Sequence, residues 1–275
     1  MIAPLLPFSP HPGPTREKNL LVRTPTESSL IPYITQRKGE EAGPDNLFLR
    51  EYAKDRFRLH YRDEVPEDRD LRGVLWARCS FNPLDERGRP TGEPQWKLMH
   101  PYRQRMTMQM LRCQVCTERA RTPLGFIFLA GPRDVEPDAL RVLTNQPPVC
   151  ARHARSAARL CPHMEGNPMV FLAQSAPMYG VIGTLYGYGE NGVQVMAQPH
   201  DPLPYGHQNL PTFLASQLVR RLGTFEVVDL DELLRELAAP AAWPAAPLRV
   251  NSMPRPVPSS QAGPAPLQLL RGGTS

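Results

Sequence analysis

Two short pairs of metal-ligating side chains constrain this chain more than any other feature. Cys113 and Cys116 form a C-x-x-C pair, and Cys150 and His153 form a C-x-x-H pair later in the sequence. Thiolate and imidazole groups bind Zn²⁺ in tetrahedral structural sites, and two such pairs supply the four ligands of one ion. The sequence therefore predicts a Zn²⁺ cofactor whose ligands are Cys113, Cys116, Cys150 and His153.

The residues around these pairs predict a treble-clef-like zinc module over 111–164. The first pair lies in a predicted tight turn, and the apolar run 125–129 after it predicts a strand. Good helix formers follow Cys150 as far as Leu160, so Cys150 and His153 fall at i and i+3 on one face of a predicted helix. A knuckle, a strand and a helix that carries the second ligand pair is the order of a treble clef.

A further pair, Cys161 and His163, follows the same predicted helix. About ten helical residues, each rising about 1.5 Å, separate it from Cys150, so one ion cannot easily take all four groups of this helix. Several interpretations stay open. The pair forms a partial second site, for example with Cys79; His163 replaces His153 through a bend; Cys161 packs as a small hydrophobic side chain; or the pair is catalytic.

Positive charge is concentrated in the predicted zinc module. The chain has 275 residues and a net charge of +5, and the segment 101–160 alone carries ten Arg against four acidic residues, a net +6. Arg152, Arg155 and Arg159 stand at i, i+3 and i+7 of the ligand-bearing helix, so they share one face. This face predicts binding of nucleic-acid phosphates, and a solvated helix surface is the alternative.

The remaining patterns predict a single α+β domain over 46–237, with a mainly antiparallel sheet, the zinc module and two C-terminal helices. Strands are predicted over 47–52, 57–61, 73–79, 168–174, 179–186, 193–197 and 225–228, and helices over 101–111, 211–222 and 229–237. The runs 168–174, 179–186 and 193–197 suggest an antiparallel meander. Residues 1–45 are predicted to be a flexible N-terminal arm, and the Pro/Ala-rich tail 238–275 is predicted to be disordered.

Composition also bears on location. The chain contains no stretch of about 18 apolar residues, so no membrane span is predicted. Its five cysteines are odd in number and mostly in metal-type spacing, which favours a reducing cytoplasm over a disulfide framework.

An ordered series of motifs resembles a group of uncharacterised proteins from streptomycetes and related actinobacteria. The series contains the run 61–78, then 100–105, the C-x-x-C pair, the P-P-V-C-x-x-[CH] run at 147–153, the C-P-H run at 161–163, and 217–222. The resemblance covers roughly residues 30–237. It implies a cytoplasmic, zinc-binding actinobacterial protein and brings no known activity. In that group the second ligand pair often looks like C-x-x-C, whereas here His153 takes the last position.

Two functional hypotheses follow. The first is a zinc-stabilised, non-catalytic binding protein that engages nucleic acid or a protein partner. The alternative is a metal-dependent nuclease of the treble-clef type, for which His200, Asp201, His207 and Asn209 supply scattered candidate groups. A structural zinc site has four protein ligands and is closed, while a catalytic site keeps one position open for water.

Overall fold

The chain forms one large sheet, a smaller three-stranded sheet and two ribbons of two strands each within the residues that the structure describes. The computed structural model describes residues 31–43, 46–131, 142–160, 168–190 and 192–239. The strands are β1 (Thr35–Arg37), β2 (Leu47–Ala53), β3 (Arg56–Tyr61), β4 (Leu75–Trp76), β5 (Pro94–Met99), β6 (Phe126–Ala130), β7 (Leu143–Thr144), β8 (Met169–Ser175), β9 (Met178–Gly189), β10 (Gly192–Ala197), β11 (Leu203–Pro204), β12 (Phe213–Arg221) and β13 (Gly223–Val227). The helices are α1 (Pro101–Met110), α2 (Ala151–Leu160) and α3 (Leu230–Ala238).

The large sheet has the strand order β10-β9-β12-β4, with β11 paired to β9 and β7 paired to β12. Its pairs are antiparallel except for β4 and β12, which are parallel. β9 and β10 form a hairpin, and Gly192 has a φ of +103° at its turn, a conformation that costs glycine little. The predicted α+β class with a mainly antiparallel sheet is therefore confirmed.

The small sheet has the order β13-β8-β6 and carries the core nearest the ligand pairs. All five residues of β6 are buried, and they pack with α2 and α3 around Phe128 and Phe171. The predicted meander is wrong on one point, because β8 pairs with β6 and β13 rather than with β9. A break at Ala176 and Pro177 sends the chain from the small sheet to the large one, since proline has no N–H to continue the ladder.

The prediction of two C-terminal helices is wrong for the segment 211–222. Most of this segment is the strand β12 (Phe213–Arg221), which pairs along its length with β9. Two register irregularities, between Ala215 and Gln217 and between Val219 and Arg220, disturb the alternation of buried residues, so the apolar spacing resembles a helix. The second predicted helix is α3, and the carboxylate of Asp229 accepts a hydrogen bond from Glu232 N at 2.8 Å as its N-cap.

Buried polar side chains fix α1 against β12. The Gln104 amide donates to Leu218 O and accepts from Leu218 N, both at 2.9 Å, so it pairs with the strand as a backbone would. Arg220 donates through Nε to Met108 O at 2.7 Å and through Nη2 to Gln109 O at 3.0 Å. Its guanidinium thus lies at the C-terminus of α1, where the helix dipole favours a cation, although burial lowers the pKa of Arg220 to about 10.

Ordered structure begins before the predicted boundary at Asn46. The segment 31–43 contains β1, which pairs with β5, and Glu40 is buried in an ion pair with Arg103 of α1. The prediction that residues 1–45 form a flexible arm is therefore wrong for 31–43. A buried carboxylate is stable only beside its partner, so the Glu40–Arg103 ion pair holds this segment in place. Residues 1–30, 44–45 and 240–275 of the predicted flexible ends lie outside the described residues. In the part of the chain that is described, no helix combines the length and apolarity needed to cross a bilayer.

Candidate metal centre

The first ligand pair lies in a turn that aims both sulfurs at one point. Thr117 N donates to Cys113 O at 2.9 Å and Cys113 N donates to Glu118 O at 2.8 Å, which closes the turn. Val115 N also donates to Cys113 Sγ at 3.4 Å, and Cys113 is completely buried. The two intervening residues of the C-x-x-C pair thus form the compact knuckle that the spacing predicts.

The second ligand pair lies at the start of α2. Cys150 O accepts from His153 N at 2.9 Å and from Ala154 N at 3.0 Å, so Cys150 is the residue before the first helical position. The sequence prediction placed Cys150 inside the first turn, one position too far along the helix. The N-terminus of a helix favours an anionic thiolate at this place.

Backbone hydrogen bonds bring the two pairs together. Gln114 N, in the knuckle, donates to Pro148 O at 3.0 Å, and Val149 N donates to Ile127 O of β6 at 2.9 Å. The loop that enters α2 is therefore attached both to the knuckle and to the small sheet. These long-range bonds place Cys150 opposite Cys116.

The ligand atoms have the spacing that a tetrahedral ion requires. The sulfur and nitrogen atoms of Cys113, Cys116, Cys150 and His153 all lie within 4.8 Å of one another. Cys116 Sγ and Cys150 Sγ are 3.8 Å apart, which matches the separation of about 3.8 Å for two Zn–S bonds of about 2.3 Å at a tetrahedral angle. Cys150 Sγ and His153 Nδ1 are 3.2 Å apart, slightly closer than the corresponding separation of about 3.6 Å.

The electrostatics of the cluster favour a thiolate at Cys116. Hydrogen bonds lower the pKa of Cys116, the largest contribution coming from Cys113 and the next from Cys150. The hydrogen bond between Cys113 and Cys116 raises the pKa of the Cys113 thiol. The same acceptor, Cys116, raises the pKa of His153 to about 9, with a further contribution from Cys150. A metal ion binds deprotonated thiols and a neutral imidazole, so metal binding at these four residues would release protons.

Arg152 is a contributor to the site that the sequence prediction assigned a different role. A hydrogen bond to Cys116 is the largest cause of the raised pKa of Arg152. Three thiolates and one Zn²⁺ carry a net charge of −1, so an adjacent guanidinium offsets it. Its position between Cys150 and His153 was the available signal, since a residue inside a ligand pair stays close to the ion.

The three arginines predicted to bind nucleic acid are all exposed on α2, whereas Ala154 and Ala158 of the same helix are buried. Arg155 is engaged by Asp231 of α3, which accepts from Nη2 at 2.6 Å and from Nε at 3.2 Å. Together with the contact of Arg152 to Cys116, this leaves Arg159 as the member of the three without a hydrogen bond or ion pair to a described residue.

The other predicted ligand candidates do not join this cluster. Cys79 is half-buried beside Ala42, and burial followed by the charge of Glu40 raises the pKa of its thiol. Cys161 and His163, the predicted substitutes, lie outside the described residues. Within the described ranges, no group of three or more Cys, His, Asp or Glu other than these four ligands is arranged to hold a metal ion.

The groups named for a nuclease do not assemble into a second site either. His200 and Asp201 are exposed, and His207 Nδ1 accepts from Asn209 N at 3.1 Å, which is a local turn contact. These residues lie on the loops beside β11, whereas the four ligands lie on the knuckle and α2.

Comparison with protein-family models, curated proteins and solved structures finds no match to this chain. The chain is therefore classified by its own fold and site. It is a sheet-rich α+β protein with a candidate Cys₃His metal site.

Proposed function

We propose that this chain is a zinc-stabilised, non-catalytic binding protein whose knuckle, strand and helix form a treble-clef module. The observation that carries the proposal is the presence of four protein ligand atoms at tetrahedral spacing. Four protein ligands fill the coordination of Zn²⁺ and leave no position for a reacting water. A site of this kind contributes to folding, on the order of 10 kcal/mol, and takes no part in a reaction. The free thiols of the four cysteines that the structure describes suit a reducing cytoplasm.

The metal is tested by elemental analysis of protein purified without added metal. We expect one zinc per chain in the wild type, and loss of zinc together with loss of folding in Cys116→Ser. Cys79→Ser is the matched control, because this half-buried cysteine lies outside the ligand cluster. A Cys161→Ser variant distinguishes the two candidate ligand sets. Zinc that persists in Cys116→Ser, or that depends on Cys161, would contradict the proposed site.

For the partner we propose nucleic acid, bound through its phosphates at the module. The support is the excess of positive charge over 101–160 and the exposed arginine face of α2. Each phosphate contact adds about one unit to the slope of log affinity against log salt concentration. Arg159 is the most suitable side chain to test, since Arg152 contacts a ligand and Arg155 is paired with Asp231.

The partner is tested by fluorescence anisotropy with labelled duplex DNA and RNA over a series of salt concentrations. We expect Arg159→Gln to weaken binding and to reduce the salt slope by about one. Arg56→Gln, at an exposed position on β3, is the control for a simple loss of net charge. Equal effects of the two substitutions would argue against a specific site on α2. Absence of binding would turn the search to a protein partner.

A further inference from the structure

A cavity of about 400 Å³ lies where the large sheet meets the small one. One side is formed by β6 and β8, and the other by β7, β9 and β12. Small-molecule sites commonly occupy apolar clefts of about 300–1,000 Å³ with a few polar groups. This cavity is separate from the metal centre, because none of the four ligands lines it.

The polarity of the cavity changes from its floor to its mouth. Phe128, Phe171 and Val219 form an apolar floor, and each is at most 2% exposed. The half-buried Thr144 and Asn145 add polar groups to the wall of the cavity. A ligand that matches this gradient has an apolar body and one polar end.

One of these wall residues is held in place by its neighbours. Asn145 Nδ2 donates to Gln217 Oε1 at 2.7 Å, and Asn145 O accepts from Gln104 Nε2 at 2.7 Å. Because both groups are fixed by the packing of α1 on β12, this wall is formed before any ligand binds. A preformed wall lowers the cost of ordering on binding.

The charge at the mouth selects the polar end of the ligand. Lys97 of β5 is exposed, and it is the one charged side chain among the described residues that line the cavity. It forms no ion pair with a described residue, in contrast to Lys38, whose Nζ lies 3.8 Å from Glu93 Oε2 beside the ribbon of β1 and β5. We propose that the cavity binds a small apolar carboxylic acid, with the carboxylate at Lys97 and the apolar body on the floor.

Decanoate is the probe, and decanol, which has the same chain without the charge, is its partner ligand. Calorimetric titration gives the affinities, and methyl spectra of ¹³C-methionine-labelled protein report the position. Decanoate is expected to shift the methyl signal of Met99, which lines the cavity, and to leave that of the exposed Met196 on β10 unchanged. No saturable binding at millimolar decanoate, or a shift at Met196 without one at Met99, would overturn the proposal.

Two substitutions separate the charge from the cavity. Lys97→Met is expected to weaken decanoate about fivefold and to leave decanol unchanged, and Lys38→Met is the matched control. Thr144→Phe is expected to abolish binding of both probes by filling the wall. Equal decanoate affinity in Lys97→Met and Lys38→Met would refute the role of the lysine. Full binding by a folded Thr144→Phe would refute the location, and the lysine pair tests the proposal even where that variant does not fold.

Discussion

Replacing Glu40 with Gln is expected to destabilise the protein by about 3–5 kcal/mol. Glu40 and its partner Arg103 are each about 1% exposed at the side chain. The Glu40 carboxylate also accepts from Arg37 N at 2.7 Å, and the Arg37 side chain is itself buried. The substitution keeps the shape but leaves the buried Arg103 guanidinium without its anion and removes the nearby negative charge that favours the charged form of Arg37. Burial already lowers the pKa of both arginines, which shows that the charged forms are costly there.

The free energy of unfolding is measured by urea titration, followed by circular dichroism and tryptophan fluorescence. For a unit of this size the expected loss corresponds to a fall in Tm of roughly 6–20 °C. Glu93→Gln is the control, because the Lys38–Glu93 pair is about three-quarters exposed and contributes about 0–1 kcal/mol. A loss below about 1 kcal/mol in Glu40→Gln would refute the reasoning.

Two further predictions concern buried polar groups near α1. Gln104→Leu removes both hydrogen bonds to the Leu218 backbone, so we expect a loss of about 2–4 kcal/mol and faster hydrogen exchange at the Leu218 amide; unchanged exchange would contradict the pairing. Burial, followed by the charge of Arg103, lowers the pKa of His100. The unfolded chain therefore binds a proton that the folded state resists, and stability falls as the pH drops below about 6.5. His100→Asn should make the free energy of unfolding, measured by urea titration at several pH values, less dependent on pH. His200→Asn, at an exposed position, should leave the pH dependence as it is in the wild type. The same pH dependence in the two variants would contradict the role of His100.

Local patterns in the sequence were sufficient to predict the residues of the candidate metal site. The spacing of Cys113 and Cys116 sets a knuckle, and that of Cys150 and His153 sets two groups about one helical turn apart. Each pair depends on a few neighbouring residues, so its geometry follows from turn and helix rules alone. The sequence suggested that the two pairs meet only because one Zn²⁺ needs four ligands. The structure shows what brings them together, which is the backbone hydrogen bonds of Gln114 and Val149.

The sequence also predicted several elements whose signals are local. The helix α1 begins at Pro101, and α3 begins after the N-cap Asp229. The strands β2 and β3 were predicted from two short alternating runs, and the structure pairs them as a hairpin. In each of these cases the residues that specify the element lie inside it or next to it.

Tertiary structure decided the segments whose partners are distant in the chain. The run from Phe213 to Arg221 has apolar spacing that suits a helix, but pairing with β9 and the amide of Gln104 make it a strand. The segment that contains Glu40 looks polar and loose, but Arg103 buries it. Propensity is a weak prior because pairing and burial contribute more free energy than the intrinsic preference of a residue. The sequence therefore determined the ligand pairs and the locally specified elements, while long-range pairing decided which sheet each remaining segment joins and where the core begins.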